Sequence, residues 1–231
     1  ATLEIVLKTK AFDCHIVDME HTSLNFSDLE EIIRLSDAYK IPTLVRISKV
    51  EKSIISKSLD LGASGIIAPN INTQKDLNQF INFVLYPPKG QRGVGLSRAS
   101  NHGQNFNQYF KQFNNSVSII PMIENINAIK ELDLISGSRF IDAILIGPYD
   151  LSSSMGMAGN FNTKKFKDTI SKVIKATRKN KISCGLHIVH TKNINIFKEQ
   201  KKGFNFIPYS TDIQIFIDSN KDKLQNIKKS K

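Results

Sequence analysis

Tryptophan is absent from this chain, cysteine occurs only twice, and arginine supplies six of the 32 basic residues. Two cysteines in 231 residues exclude the disulfide framework of a small secreted domain. Cys14 and Cys184 both fall in apolar runs, so they read as buried free thiols. No run approaches the roughly 18 to 20 consecutive apolar residues of a membrane-spanning helix, so no membrane partner is expected. No charged leader followed by a short apolar stretch opens the chain, and a reducing cytoplasm is the expected location. The first residue is alanine, which reads as a processed or trimmed start. No Gly-x-Gly-x-x-Gly follows the first apolar run, so a dinucleotide-binding sheet has little support.

Lysine is what the chain has in excess. The formal charge is +11, yet residues 1–160 carry a net −1 and residues 161–231 a net +12. Of the basic residues 26 are Lys, beside 20 Asn. Bidentate phosphate and base recognition favours Arg. The excess therefore reads as solvated Lys on outer helix faces and a basic tail at 221–231, with no nucleic-acid partner. A basic binding module is the alternative from a different class, and its affinity would fall steeply with salt.

Hydrophobic residues make up 40% and charged residues 23%, a globular balance. Short apolar runs rich in Ile and Val recur at 12–19, 42–47, 65–69, 117–123, 143–146, 183–189 and 204–209. Continuous apolarity is how strands of a parallel sheet read when both faces are covered. Helical segments lie between them, at 51–61, 73–84, 106–114, 127–136, 163–180, 193–202 and 212–229. Another helix begins with Ser27 and Glu30 as a capping box and continues through Leu29, Ile32, Ile33 and Leu35. A Pro/Gly-rich loop runs from Tyr86 to about Gln104. Seven strand–helix alternations predict an α/β fold, a (β/α)8 TIM barrel over 1–231 as one domain. Its first strand is missing or upstream of residue 1, because Leu3 to Leu7 read as a helix. An open doubly wound sheet is the alternative.

In such a barrel the chemistry sits at the C-terminal strand ends. Five of the seven runs place ionisable groups there: Asp18-Met-Glu-His21, Arg46, Glu124, Asp150, and His187 toward His190. Glu124 and Asp150 cap different strands and leave most of an octahedral shell to water and substrate oxygens, which suits Mg²⁺ or Mn²⁺. Both equally suit the N-termini of following helices, and spacing does not choose between these readings. Asp18 and His21, three apart, form an acid–base pair or a loop His with an incidental neighbour. Arg46 in an apolar run needs a partner; it either holds an oxyanion or carboxylate or pairs with Glu20 or Asp18. The turn at Gly147-Pro-Tyr-Asp-Leu-Ser152 offers free N–H groups to a carboxylate or phosphate. His15 and His187 read as satisfied barrel residues. Phe106, Tyr109, Phe110 and Phe113 read as core or subunit contact.

Five segments in order resemble the HpcH/HpaI aldolase family, the metal-dependent class II pyruvate aldolases. They are Phe12-Asp-Cys-His-Ile-Val-Asp-Met-Glu-His21, Leu44-Val-Arg46, Tyr86-Pro-Pro-Lys-Gly-Gln-Arg-Gly-Val-Gly95, Ile123-Glu124 and Ile146-Gly-Pro-Tyr-Asp-Leu-Ser152. The resemblance covers about residues 3 to 215. It implies reversible cleavage of a 4-hydroxy-2-oxo acid to pyruvate and an aldehyde through a divalent-metal-stabilised pyruvate enolate. Glu124 and Asp150 would hold the metal, Mg²⁺ or Mn²⁺ first and Co²⁺ or Zn²⁺ as alternatives. Arg46 would stabilise the same oxygen, and His21, oriented by Asp18, would assist proton transfer. Arg46, Gly147, Pro148, Tyr149, Leu151 and Ser152 would bind substrate, and the 88–95 loop would help shape the mouth near a subunit boundary. A homo-oligomer, trimer or hexamer, is implied, with the last helix exchanged between subunits. Related sugar-acid aldolases, CoA-thioester lyases and an inactive family member are the alternatives. The chain departs from the family at Cys14, at Ile47-Ser48 and at Ala68-Pro69-Asn70, which bears on aldehyde specificity.

Overall fold

The computed structural model describes residues 2–190 and 194–229, with side chains described through Lys221. The elements run α1 (Thr2–Thr9), β1 (His15–Asp18), α2 (Phe26–Tyr39), β2 (Thr43–Arg46), α3 (Lys52–Asp60), β3 (Gly65–Ala68), α4 (Gln74–Val84), α5 (Phe106–Ser116), β4 (Ser118–Ile123), α6 (Leu132–Ser136), β5 (Ala143–Ile146), α7 (Pro148–Ser154), α8 (Lys164–Asn180), β6 (Ser183–Leu186), α9 (Ile196–Lys202) and α10 (Asp212–Lys229). All six strands pair in parallel, in chain order. The sheet curls as a half-barrel. The seventh expected strand lies beside β6 only as two isolated parallel bridges, Gly185 with Phe206 and Ile188 with Tyr209. Eight strands are not seen among the described residues.

Three local expectations are corrected. The cap of α2 is Asn25, whose extended backbone lets its side chain accept from the N–H of Ser27 and Asp28 while Asp28 returns to the Asn25 N–H at 2.8 Å. Glu30 instead pairs with Arg34 along the helix. The helix expected over 127–136 is a 3₁₀ turn, Ile126–Lys130, followed by α6. The expected helix over 193–202 begins at Ile196, where Asn195 caps it; residue 193 lies outside the described residues. The lysines follow the helix period as expected. α8 buries Phe166, Thr169, Val173, Ala176 and Thr177 along one stripe and turns Lys164, Lys165, Lys167, Lys172, Lys175 and Lys179 to solvent.

The loop after α4 lies at the N-terminal end of the sheet, opposite the strand ends that carry the ionisable groups. Arg98 in it binds the Leu61 carbonyl at the end of α3 and the Asp37 carboxylate near the end of α2. Within this chain the 88–95 segment therefore does not shape the mouth of its own sheet. Arg92 pins it there. The Arg92 side chain is fully buried, 2.7 Å from Asp60, and its guanidinium lies over the rings of Phe113 (4.2 Å) and Tyr86 (4.5 Å). The aromatic helix face of α5 is thus core. Burial of a guanidinium is tolerable only while its charge is matched and its ring contacts hold. Asp60→Ala leaves that charge without its counter-ion and should destabilise the fold by roughly 3–5 kcal/mol. Urea unfolding of the variant checks this, and an unchanged midpoint would show that the pair carries no such weight.

Candidate active site

Strand side chains alternate with a period of two, and the inner face of the curled sheet can be followed residue by residue. Leu44, Ile67, Ile120, Met122, Ala143 and Leu145 meet one another there, with Cys14, Ile16 and Phe206 against them. Val17, Val45, Ile66, Ile119, Ile144, Ile146 and Cys184 face the helices instead. Gly185 belongs to the inner set, because a Cβ on it would meet Phe206 Cδ1 at 2.7 Å and Leu145 Cδ1 at 3.0 Å. Two residues beyond this apolar layer come Asp18 after Ile16, Arg46 after Leu44, Glu124 after Met122, Gly147 after Leu145 and His187 after Gly185. One layer at the C-terminal strand ends therefore carries the polar side chains.

Arg46 organises it. Asp18 and Arg46 are direct register partners on β1 and β2. The guanidinium forks onto Asp18, Nε to Oδ1 at 2.8 Å and Nη2 to Oδ2 at 2.6 Å. Nη1 lies 3.5 Å from Glu20 Oε2. Asp18 also accepts the backbone N–H groups of Glu20 and His21. Burial works to raise the Asp18 pKa, but the Arg46 fork and these N–H donors outweigh it and hold the carboxyl below its ordinary value. Asp18 thus touches His21 through the backbone. The His21 ring, two-thirds exposed, has Glu20 Oε2 at 3.8 Å. Glu20 Oε2 is buried with no hydrogen-bond partner among the described residues, and desolvation is the main cause of its raised pKa.

Glu124 is only 7% exposed. Its Oε2 accepts the Asn70 N–H at 3.0 Å, the donor being held by a left-handed backbone at φ 57°. Desolvation raises its pKa, the Asn70 bond and Arg46 oppose that, and the charges of Glu20 and Asp150 add to it. A Cβ at Gly147 would stand 2.7 Å from Glu124 Oε1 and 2.8 Å from its Cγ. The glycine is therefore what leaves room for this carboxylate. Asp150 follows on the first turn of α7, exposed and close enough to Glu124 to act on its charge. Within that turn Pro148 is buried at the first helical position. The Tyr149 ring is partly exposed and packs edge-on against Phe161 at 5.1 Å. Leu151 and Ser152 are buried, Ser152 Oγ donating to the Tyr149 carbonyl and accepting from the Gly159 N–H.

The structure brings Asp18, Arg46, Glu124 and Asp150 to one end and leaves His21 at its rim. Three residues were missed or undervalued in the sequence. Glu20 stands there only within the Asp18–His21 segment and as a partner for Arg46, and Asn70 only as a departure from the family, since its contribution is a backbone donor. His187 was read as an ordinary barrel residue, although the alternation from Gly185 was a signal for it. His15 is as expected, bonded to Ser36 Oγ at 2.6 Å and Thr43 Oγ1 at 2.9 Å.

A divalent cation is the group whose fit the carboxylates test. Among the described residues no three His, Cys, Asp or Glu side chains are grouped to enclose a metal. Two carboxylates on adjacent strand ends, one buried and facing space that a glycine keeps open, match the open oxygen shells of Mg²⁺-type sites, which leave positions to substrate and water.

Comparison with known proteins identifies the family. The chain is 28% identical over 212 residues to 5-keto-4-deoxy-D-glucarate aldolase of Salmonella arizonae, covering 91% of this chain and 82% of that protein. It is 28% identical over 228 residues to 2-keto-3-deoxy-L-rhamnonate aldolase of Escherichia coli, covering 98% and 84%. An HpcH/HpaI aldolase/citrate lyase family protein from Burkholderia cenocepacia superposes with a TM-score of 0.90 over 98% of this chain and 89% of that one, at 24% identity. The profile of the HpcH/HpaI aldolase/citrate lyase family matches residues 2–219, and the chain belongs to that family.

Proposed function

We propose that this carbon–carbon lyase is a class II aldolase that reversibly cleaves a 4-hydroxy-2-oxo acid to pyruvate and an aldehyde. The observation that carries the reading is the Glu124–Gly147–Asp150 arrangement facing the Arg46 cation across one layer of strand ends. We read the curled sheet and the 204–209 run as the greater part of a closed (β/α)8 barrel. The relatives that bear aldolase names act on keto-deoxy sugar acids by those names, so the aldehyde half here is read as sugar-derived. The free thiols Cys14 and Cys184 suit a cytoplasmic setting. Exposed Ile213 and Phe216 on α10 suit the homo-oligomer.

Glu124 and Asp150 would hold a divalent cation, Mg²⁺ or Mn²⁺ before Co²⁺ or Zn²⁺, and it would supply Lewis acidity to the 2-keto oxygen. Arg46, aimed by the Asp18 fork, sits where a substrate carboxylate or a developing negative oxygen would lie. In the cleavage direction the 4-hydroxyl loses its proton and the C3–C4 bond breaks. The aldehyde leaves, and C3 takes up a proton to become the methyl group of pyruvate. His21 Nε2, at the rim beside Glu20, is the group placed to move the hydroxyl proton. Free N–H groups in the first turn of α7 would orient the substrate carboxylate.

A retro-aldol assay coupled to pyruvate detection tests the reading. Chelation should abolish turnover, and Asp150→Ala should lower kcat/KM by about a hundredfold or more. Full activity in either case would refute the mechanism. Gly147→Ala should weaken Mn²⁺ binding measured by calorimetry, since its Cβ would displace Glu124. Glu124→Gln should remove activity yet stabilise the metal-free protein at neutral pH. The sign follows from the raised pKa of Glu124: the folded state penalises its charge at high pH, whereas both states are protonated below the ordinary Glu value of about 4.3. The gain should be full above the folded pKa and vanish as pH falls below the ordinary value. Equal unfolding midpoints for the two proteins across that range would refute it.

A further inference from the structure

We propose that His187 is a specificity-determining residue that accepts a hydrogen bond from the hydroxyl next to the carbonyl carbon of the aldehyde half. The assignment rests on the aldolase reading and deepens it. His187 stands just past the end of β6, at the position that corresponds to Asp18, Arg46, Glu124 and Gly147 at the ends of their strands, two residues beyond Gly185 on the inner face. The backbone agrees with that direction. Leu186 and Ile188 donate to the carbonyls of Phe206 and Pro208 on one side, while the His187 N–H turns to Ile146 on the other at 3.5 Å. β6 lies four strands from β2, yet the half-buried imidazole is near enough to feel the charges of both Arg46 and Asp18. The alternation from Gly185 thus sets the ring on the same side of the sheet as Arg46 and Asp18.

Its hydrogen-bonding state follows from its surroundings. The Ser210 backbone lies beside the ring. Ser210 is itself held, its N–H on the Ile188 carbonyl at 2.7 Å and its Oγ on the Val189 carbonyl at 2.8 Å. Burial first and the Arg46 cation second lower the His187 pKa, against smaller opposition from Ser210 and Asp18. A neutral imidazole keeps one nitrogen as an acceptor in either tautomer. Pyruvate, with a carboxylate, a keto oxygen and a methyl group, has no N–H or O–H to offer it. The aldehyde half of a sugar acid does, through its hydroxyl groups. A ring on this layer, reaching over from β6, selects for hydroxylated aldehydes against alkyl ones of the same size. An apolar residue here would not, because an apolar pocket discriminates poorly between a hydroxyl and a methyl group.

The test uses the whole chain with Mn²⁺ in the aldol direction, with pyruvate and either glycolaldehyde or propanal, which differ by hydroxyl for methyl. The readout is the ratio of kcat/KM for the two aldehydes, which general damage does not move. The wild type should favour glycolaldehyde. His187→Leu should lower the ratio about tenfold, and His187→Gln, which keeps an acceptor oxygen, should restore most of it. His187→Phe repeats the measurement should the Leu variant not fold. An unchanged ratio overturns the assignment, and so does an equal loss for both aldehydes, which would make His187 a general base. Exchange of the pyruvate methyl protons in D₂O by the wild type separates the two levels. No exchange overturns the aldolase reading and this one with it; exchange with an unaltered ratio overturns the His187 assignment alone.

Discussion

The Arg46 guanidinium, placed among apolar strands, is the constraint around which the site is arranged. A cation there needs matched acceptors, and the parallel register of β1 and β2 supplies one by setting Asp18 directly beside it. Holding the fork fixes the end of β1. The Asp18 carboxylate then gathers the N–H groups of Glu20 and His21, and its carbonyl takes the Thr22 hydroxyl. The chain is thereby turned across the strand ends before Asn25 starts α2. A local ion pair thus decides where Glu20 and His21 stand. A loop stabilised only by its own turn residues would leave them free.

The period of the strands does the rest. The same alternation that puts Ile16, Leu44, Met122 and Leu145 into an apolar inner layer puts Asp18, Arg46, Glu124 and Gly147 one step above it. The strands hold these strand-end groups, while the helices behind them bury Ile66, Ile144 and their neighbours. The opposite end of the sheet carries a different device. Arg92, Asp60 and the Tyr86–Phe113 rings lock the long loop under the helices, where they serve packing and not chemistry.

Much of this was legible in the residues because strands and helices leave periodic traces. β5 falls on 143–146 as read, and the stripe of α8 is plain in its spacing. What could not be read had physical reasons. Ser27 and Asn25 both make good caps, and only the backbone angle at Asn25 decides between them. The 204–209 run is apolar enough for a strand, yet its ladder is only two bridges. The 86–104 loop carries a family-like motif, but topology sends any connection from helix to strand to the N-terminal face. Asn70 acts through its N–H, which leaves no mark in the side-chain pattern. His187 could have been found by counting in twos from Gly185.

Charge balance explains why the site tolerates so many acids. Asp18, Glu20, Glu124 and Asp150 act on one another around a single guanidinium, so full ionisation leaves an excess of three negative charges. The response is uneven. Asp18, which has the fork, is pushed toward its charged form, while Glu20 and Glu124, which are buried without a full partner, are pushed toward protonation. Such a distribution is costly for folding alone, since apolar groups of similar shape would cost less at these positions. It would become useful if Glu124 and Asp150 held a dipositive ion, as proposed. That ion would remove two of the three excess charges and leave the Arg46 cation to face the substrate. On that reading, the cost borne by the unliganded fold would be the source of the affinity that the proposed reaction requires.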